Sequence, residues 1–200
     1  MRTITALRAA RPGRVVVELD GAVWRTLPVE AVLRAGLAAG RRLDRPRARL
    51  LRRELRRLEA LSAAGKALRG RDLAAAELEA RLERAGVAPV PRAETLAALD
   101  RAGLVDDRRF AVDRAAALAG RGYGDAWIRW DLERRGVSAE LVEEAVASLE
   151  SEHVRVEPVL RERGGGPRVA RLLARRGFGE DAVEAAATAP IAAEGGAALT

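Results

Sequence analysis

One spacing recurs three times along this chain, and each time it ends on a glycine. Leu78, Ile128 and Val169 stand eight residues before Gly86, Gly136 and Gly177, and Leu82, Leu132 and Leu173 stand four before them. At about 100° per helical residue, spacings of four and eight fall on one face. Arg84, Arg134 and Arg175 recur two residues before the glycine, and Val87, Val137 and Phe178 one residue after it. A helix with one apolar stripe and a glycine stop, used three times, points to a repeated supersecondary unit. The fullest copy is the stretch from Gly122 to Val137.

Composition agrees with helices. Only 3% of the 200 residues are aromatic, so packing rests on Leu, Val and Ala, which suits helices joined by short loops better than a sheet sandwich. The expected class is all-α: tandem three-helix repeats forming an elongated array, with a small N-terminal β-hairpin. With no cysteine, the chain has no disulfide, thiolate metal site or cysteine nucleophile. It has neither an N-terminal apolar leader nor an apolar run of about 20 residues, so a cytoplasmic protein is expected. The net charge of +7 and pI near 11.1 suit a polyanionic partner, either nucleic acid or an acidic protein surface. Lys66 is the only lysine among 36 basic residues, however, and a skewed codon pool would also enrich arginine. Both explanations stand on composition alone.

In chain order, residues 1–45 form the hairpin portion and a short helix, with residues 3 to 27 reading as strand. Val15, Val17 and Leu19 alternate with Val16 and Glu18 before Asp20-Gly21, a favoured two-residue turn, and Val23 to Leu27 return. Pro28 opens a helical stretch through Leu33, closed by Gly36. Residues 46–61 read as a basic amphipathic helix, with Leu50, Leu51, Leu55, Leu58 and Leu61 spaced among Arg52, Arg53, Arg56 and Arg57. A first three-helix repeat covers 62–105, with helices near Ala63–Leu68, Ala75–Ala85 and Glu94–Ala102. A second covers 106–151. A third, degenerate one covers 152–189, its first helix interrupted by Pro158 and Gly164-Gly165-Gly166. Residues 190–200 read as a disordered tail.

Catalytic chemistry finds little support in the residues. His153 is the only histidine and has no second ligand nearby in sequence. Asp106-Asp107 falls where a loop meets a helix, the place for a cap. Gly122-Tyr123-Gly124 lacks the preceding strand and the Gly-Lys-Ser/Thr ending of a phosphate loop. No catalytic residue, metal ligand or cofactor is expected. What remains is a face: with Ile128 and Leu132 buried, Trp130 lies opposite, Arg129 and Arg134 lie to either side, and Trp127 is one turn back. The equivalent positions hold Glu77 and Ala80 in the first repeat and Arg168 and Arg171 in the third, which are not core residues. The candidate partner-binding residues are therefore Arg84, Trp127, Arg129, Trp130, Arg134, Arg135, Arg168, Arg171 and Arg175. The competing reading packs both tryptophans against a neighbouring repeat.

Glu77-Leu78 with Leu82, then Leu99, Gly103, Val105-Asp106-Asp107, Phe110-Ala111, Gly122 with Gly124, Ile128, Leu132 and Arg135-Gly136-Val137 form an ordered series. In that order and spacing the chain resembles the RecX family of bacterial recombination regulators, which bind RecA filaments. The resemblance covers residues 62 to 150 well, and Asp20-Gly21, Leu27-Pro28, Leu37 and Gly40 look like the family's N-terminal portion. Two positions depart from it. Ala74 stands where the family usually has a serine, leaving the N-cap to Asp72 or water, and Asp125 replaces a common proline. The resemblance implies a three-helix repeat fold and a non-catalytic monomer that inhibits RecA filament assembly, ATPase and strand exchange in recombination, repair and the SOS response, with single- or double-stranded DNA as a further partner. The alternative is a helical DNA-binding module acting independently of RecA.

Overall fold

The computed structural model describes residues 2–190. The chain divides into two compact units, one of Met1–Arg71 with Leu78–Ala102, the other of Asp72–Glu77 with Gly103–Thr200. Both are mainly helical, with one sheet in the first.

In that first unit, β1 (Arg2–Arg11), β2 (Arg14–Leu19), β3 (Ala22–Pro28) and β4 (Arg42–Leu43) form an antiparallel sheet in the order β3-β2-β1-β4. The expected hairpin is thus part of a four-stranded sheet, and the rest of the described chain is mostly helical. The Asp20-Gly21 turn is as expected: φ of 52° and 83° puts both residues in the left-handed region that a two-residue hairpin turn demands. The stretch from 3 to 27, expected as strand, is divided among β1, β2 and β3, and β1 buries only Ile4 fully. Helix α1 (Val29–Arg34) follows Pro28 directly. Ile4, Val17, Leu19, Leu27, Ala31, Val32, Ala35, Leu37 and Leu51 make the core of this unit.

Helix α2 (Arg45–Ala67) starts at Asp44, whose side chain accepts from the Arg47 N–H at 2.9 Å, and runs unbroken for 23 residues. The expected boundary at residue 61 and the separate helix near Ala63–Leu68 are therefore not seen. Ala60 and Ala64, one turn apart and fully buried, carry the inward face straight through that boundary. Leu50, counted among the apolar positions, is exposed instead. After α3 (Ala75–Arg84), helix α4 (Pro89–Arg101) begins five residues before the expected Glu94, because Pro89 and Pro91 sit in a first turn that needs no N–H donor from them.

In the second unit, α5 (Asp107–Gly120), α6 (Asp125–Arg134) and α7 (Ala139–Ala147) bury Phe110, Ala111, Ala115, Leu118, Ile128, Leu132, Val137, Val142, Ala145 and Val146 together. Helices α8 (Glu152–Arg163), α9 (Pro167–Arg175) and α10 (Glu180–Thr188) gather Val156, Val169, Ala170, Leu173, Phe178, Ala182 and Ala186. Helix α8 continues through Pro158 rather than stopping there. Leu78, Ile128 and Val169, and with them Leu82, Leu132 and Leu173, are all buried. Each recurring glycine closes its helix in the same way. The N–H of Gly86, Gly136 and Gly177 donates to the carbonyl three residues back, and the N–H of the next residue to the carbonyl five back, at 2.8 to 3.2 Å. With φ near +80°, this is the Schellman stop that glycine adopts without strain. Of the tail expected to be disordered, 191–200 lie outside the described residues. No helix among the described residues is long and apolar enough to cross a membrane.

Candidate partner-binding surface

The surface is built on α6, whose N-terminus is held from outside. Gly124 offers no side-chain cap, so the first N–H groups go elsewhere: Gly124 donates to the Arg176 carbonyl at 2.8 Å, Ala126 to the Gly177 carbonyl at 3.0 Å, and Asp125 to Glu152 Oε1 at 2.6 Å. A Cβ on Gly124 would meet the Gly177 and Phe178 backbone. The other carboxylate oxygen of Glu152 accepts from the Gly179 N–H at 2.6 Å, and Arg155 bonds both the Tyr123 carbonyl and Asp125. Asp125, in place of the family's common proline, thus supplies an N–H that proline lacks.

The same arrangement appears at the first turn of α3. Asp107 Oδ1 accepts from the Ala75 N–H at 2.7 Å, and a Cβ on Gly136 would meet Ala76. The cap expected from Asp72 or water comes from Asp107, while Asp106 caps its own helix through the Arg109 N–H at 3.0 Å.

On the inner face of α6, between Ile128 and Leu132, lies a buried carboxylate. Asp131 accepts from Arg114 at 2.9 and 3.1 Å and from Arg135 at 2.8 Å, and Arg135 reaches on to Glu77 at 2.9 Å. Burial pushes the Asp131 pKa upward, but the two guanidinium groups outweigh it and hold it at about 2. Arg135, expected on the partner face, is consequently committed to this internal network. Sequence reasoning missed Asp131, although its place three residues after Ile128 and four before Arg135 puts it on the inward side.

The outer face carries Trp130, 47% exposed, and Trp127, 37% exposed. Tyr123 and Trp127 stack at 5.4 Å, Trp127 and Trp130 lie tilted at 4.9 Å, and the Arg134 guanidinium sits 5.0 Å from the Trp130 ring centre. The backbone of Trp127 also abuts Gly177, so this tryptophan serves partly in packing, whereas Trp130 does not. Arg129 is held by Glu143 through two hydrogen bonds at 2.8 and 3.1 Å. On α9, Arg168, Arg171 and Arg175 are exposed, and Arg168 and Arg175 line a hollow over Val169 and Leu172 together with Arg163, which the repeat pattern had not singled out. Arg84 is exposed on α3 in the first unit. The exposed members of the second unit are thus Trp130, Arg134, Arg168, Arg171 and Arg175, with Trp127 and Arg129 at the margin.

Residues 106–146 match the family model described as "RecX, second three-helix domain". The chain is 34% identical over 123 residues to the regulatory protein RecX of Halorhodospira halophila, an alignment covering 56% of this chain and 76% of that one. The chain belongs to the RecX family. The RecX protein of Xanthomonas citri is 33% identical over 120 residues, 55% of this chain and 74% of the relative. A crystal structure of a regulatory protein RecX superposes with a TM-score of 0.75 at 20% identity, covering 92% of this chain and 98% of that one. A second, RecX from Lactobacillus salivarius, gives 0.59 at 17% identity over 66% and 94%. The segment of this chain that matches contains the whole of α5 and α6, including Asp131, Trp130 and Arg134.

The exposure of Trp130 sets an expectation for Trp130→Ala. Its loss removes ring contacts with Trp127 and Arg134 but no core volume, so stability should fall by about 1 kcal/mol or less. Thermal melting checks this. A loss of roughly 3 kcal/mol, typical of a buried tryptophan, would place the ring in the core instead.

Proposed function

We propose that this RecX-family chain binds the RecA filament on DNA and limits its assembly, ATP hydrolysis and strand exchange, acting as a cytoplasmic monomer with no catalytic chemistry of its own. Membership of a family of regulatory proteins carries the reading. The contact surface in this proposal is the outer face of α6 and α9, where Trp130 supplies an apolar anchor and Arg134, Arg168, Arg171 and Arg175 face acidic protein or phosphate. The recurring helix with its glycine stop supports tandem three-helix repeats, which would lay several weak contacts along a filament so that they add by multivalency.

Titrating the chain into a reaction in which the cognate RecA hydrolyses ATP on single-stranded DNA tests the reading. Hydrolysis should fall with a dose dependence set by binding to the filament. Unchanged hydrolysis at saturating protein would refute it.

A further inference from the structure

A second basic face lies on α2. Arg45, Arg49, Arg52, Arg53 and Arg56 are all exposed, and at about 100° per residue they fall within roughly a third of the helix circumference. The arginines on the other sides of the helix are spent internally: Arg47 pairs with Asp44, and Arg57 with Glu54 and Glu30. On the stripe only Arg53, at its edge, has a carboxylate partner among the described residues, Glu94 at 2.7 Å. Four of the five, Arg49 to Arg56, line one hollow together with Glu94, the partner of Arg53, and with Val90 and Pro91. Those two residues belong to the first turn of α4, which has no acidic residue and no side-chain cap, so the positive end of that helix faces the same hollow.

We propose that this hollow is a docking track for the phosphate backbone of a single nucleic-acid strand. Arginine presents a planar fork that matches phosphate oxygens, and no lysine is used here. From Arg45 to Arg56 the row rises about 16 Å, enough for several successive phosphates. The cations stand in one row along one hollow, so they meet one series of phosphates rather than the two that border a duplex groove. Val90, 68% exposed between them, offers apolar surface to sugars or bases. The site would let the first unit hold a strand while the face on α6 and α9 engages protein, and it does not depend on the RecA reading.

The test uses the full chain, without RecA, and a fluorescein-labelled single-stranded oligonucleotide whose binding is followed by anisotropy across a salt series. Each phosphate contact on a single strand contributes about 0.7 to the slope of log affinity against log salt. The triple variant Arg49→Gln, Arg52→Gln, Arg56→Gln should therefore lose about 2 units of slope and at least roughly tenfold in affinity at 0.1 M salt. Its melting temperature should not change, because glutamine keeps the helix and the side chains are exposed. The corresponding triple lysine variant should retain the slope. An unchanged slope in the glutamine variant, a loss seen only with duplex DNA or only with polyglutamate, or a slope lost equally in the lysine variant, would each overturn the assignment. A failure here leaves RecA inhibition testable by ATP hydrolysis, and the converse also holds.

Discussion

Asp131→Ala is expected to destabilise the second unit by about 3 kcal/mol or more, the range found when one member of a buried ion pair is removed. The carboxylate is nearly inaccessible, with 7% of its side chain exposed, and it is the only partner that Arg114 has among the described residues. Its loss strands that guanidinium in a half-buried position and leaves Arg135 with Glu77 alone. For a unit of this size each kcal/mol is worth about 4 to 8 °C, so a fall of 10 °C or more in melting temperature follows. The same group gives the fold an acid limb. Its pKa lies near 2 in the folded state and at 3.8 ordinarily, so its contribution is full above pH about 4 and is lost as pH falls toward 2. In the Asp131→Asn variant this part of the acid limb should be missing. A variant within about 1 kcal/mol of wild type would mean that the network contributes no net stability.

The helices were legible in the sequence because their signals are local. Leu, Ile or Val eight residues and Leu four residues before a glycine states both the buried face and the stop, and the hydrogen bonds after Leu82, Leu132 and Leu173 repeat that reading three times. Asp20-Gly21 is likewise a turn that two residues specify by themselves. What could not be read was long-range. Asp107 caps a helix start 32 residues away, and Arg135 bonds a glutamate 58 residues away, so neither pairing leaves a mark in the neighbouring sequence. The partner face was legible in outline for the same reason: periodicity places Trp130 and Arg134 outward. It failed at Arg135, which stands seven residues after Ile128, about 20° from it around the helix, and so lies on the inward side with Asp131 and Glu77. The boundary expected at residue 61 falls inside α2, because buried Ala60 and Ala64 carry the inward face past it.

Reversing Arg134 and Arg175 together to Glu should abolish the effect of the chain on RecA ATP hydrolysis at moderate salt while leaving the fold intact. Both side chains are exposed in the last turn of their helices, Arg134 against Trp130 and Arg175 beside Arg168 and Arg163. Each reversal changes the charge by two units, so the net charge falls from +7 by four to +3. Placing Glu at a helix C-terminus opposes the dipole and costs about 0.3 to 1 kcal/mol each, well within what the fold tolerates. Attraction to an acidic or phosphate surface becomes repulsion, and the wild-type effect should itself fade as salt screens it. Ile128→Ala is the control from the opposite face: the side chain is fully buried, and its truncation should cost about 2 to 5 kcal/mol, lowering stability before it alters inhibition. A double reversal that melts normally and still inhibits fully would make these arginines a solvated face and move the contact surface elsewhere.

The most direct measurement compares the affinity of the chain for a preassembled RecA filament on single-stranded DNA with its affinity for the same strand bare, at physiological salt. Recognition of the filament predicts binding tighter on the filament by roughly tenfold or more, about 1.4 kcal/mol, with the difference reduced by Trp130→Ala. Equal or tighter binding to the bare strand would contradict it, and would leave a helical DNA-binding module acting independently of RecA.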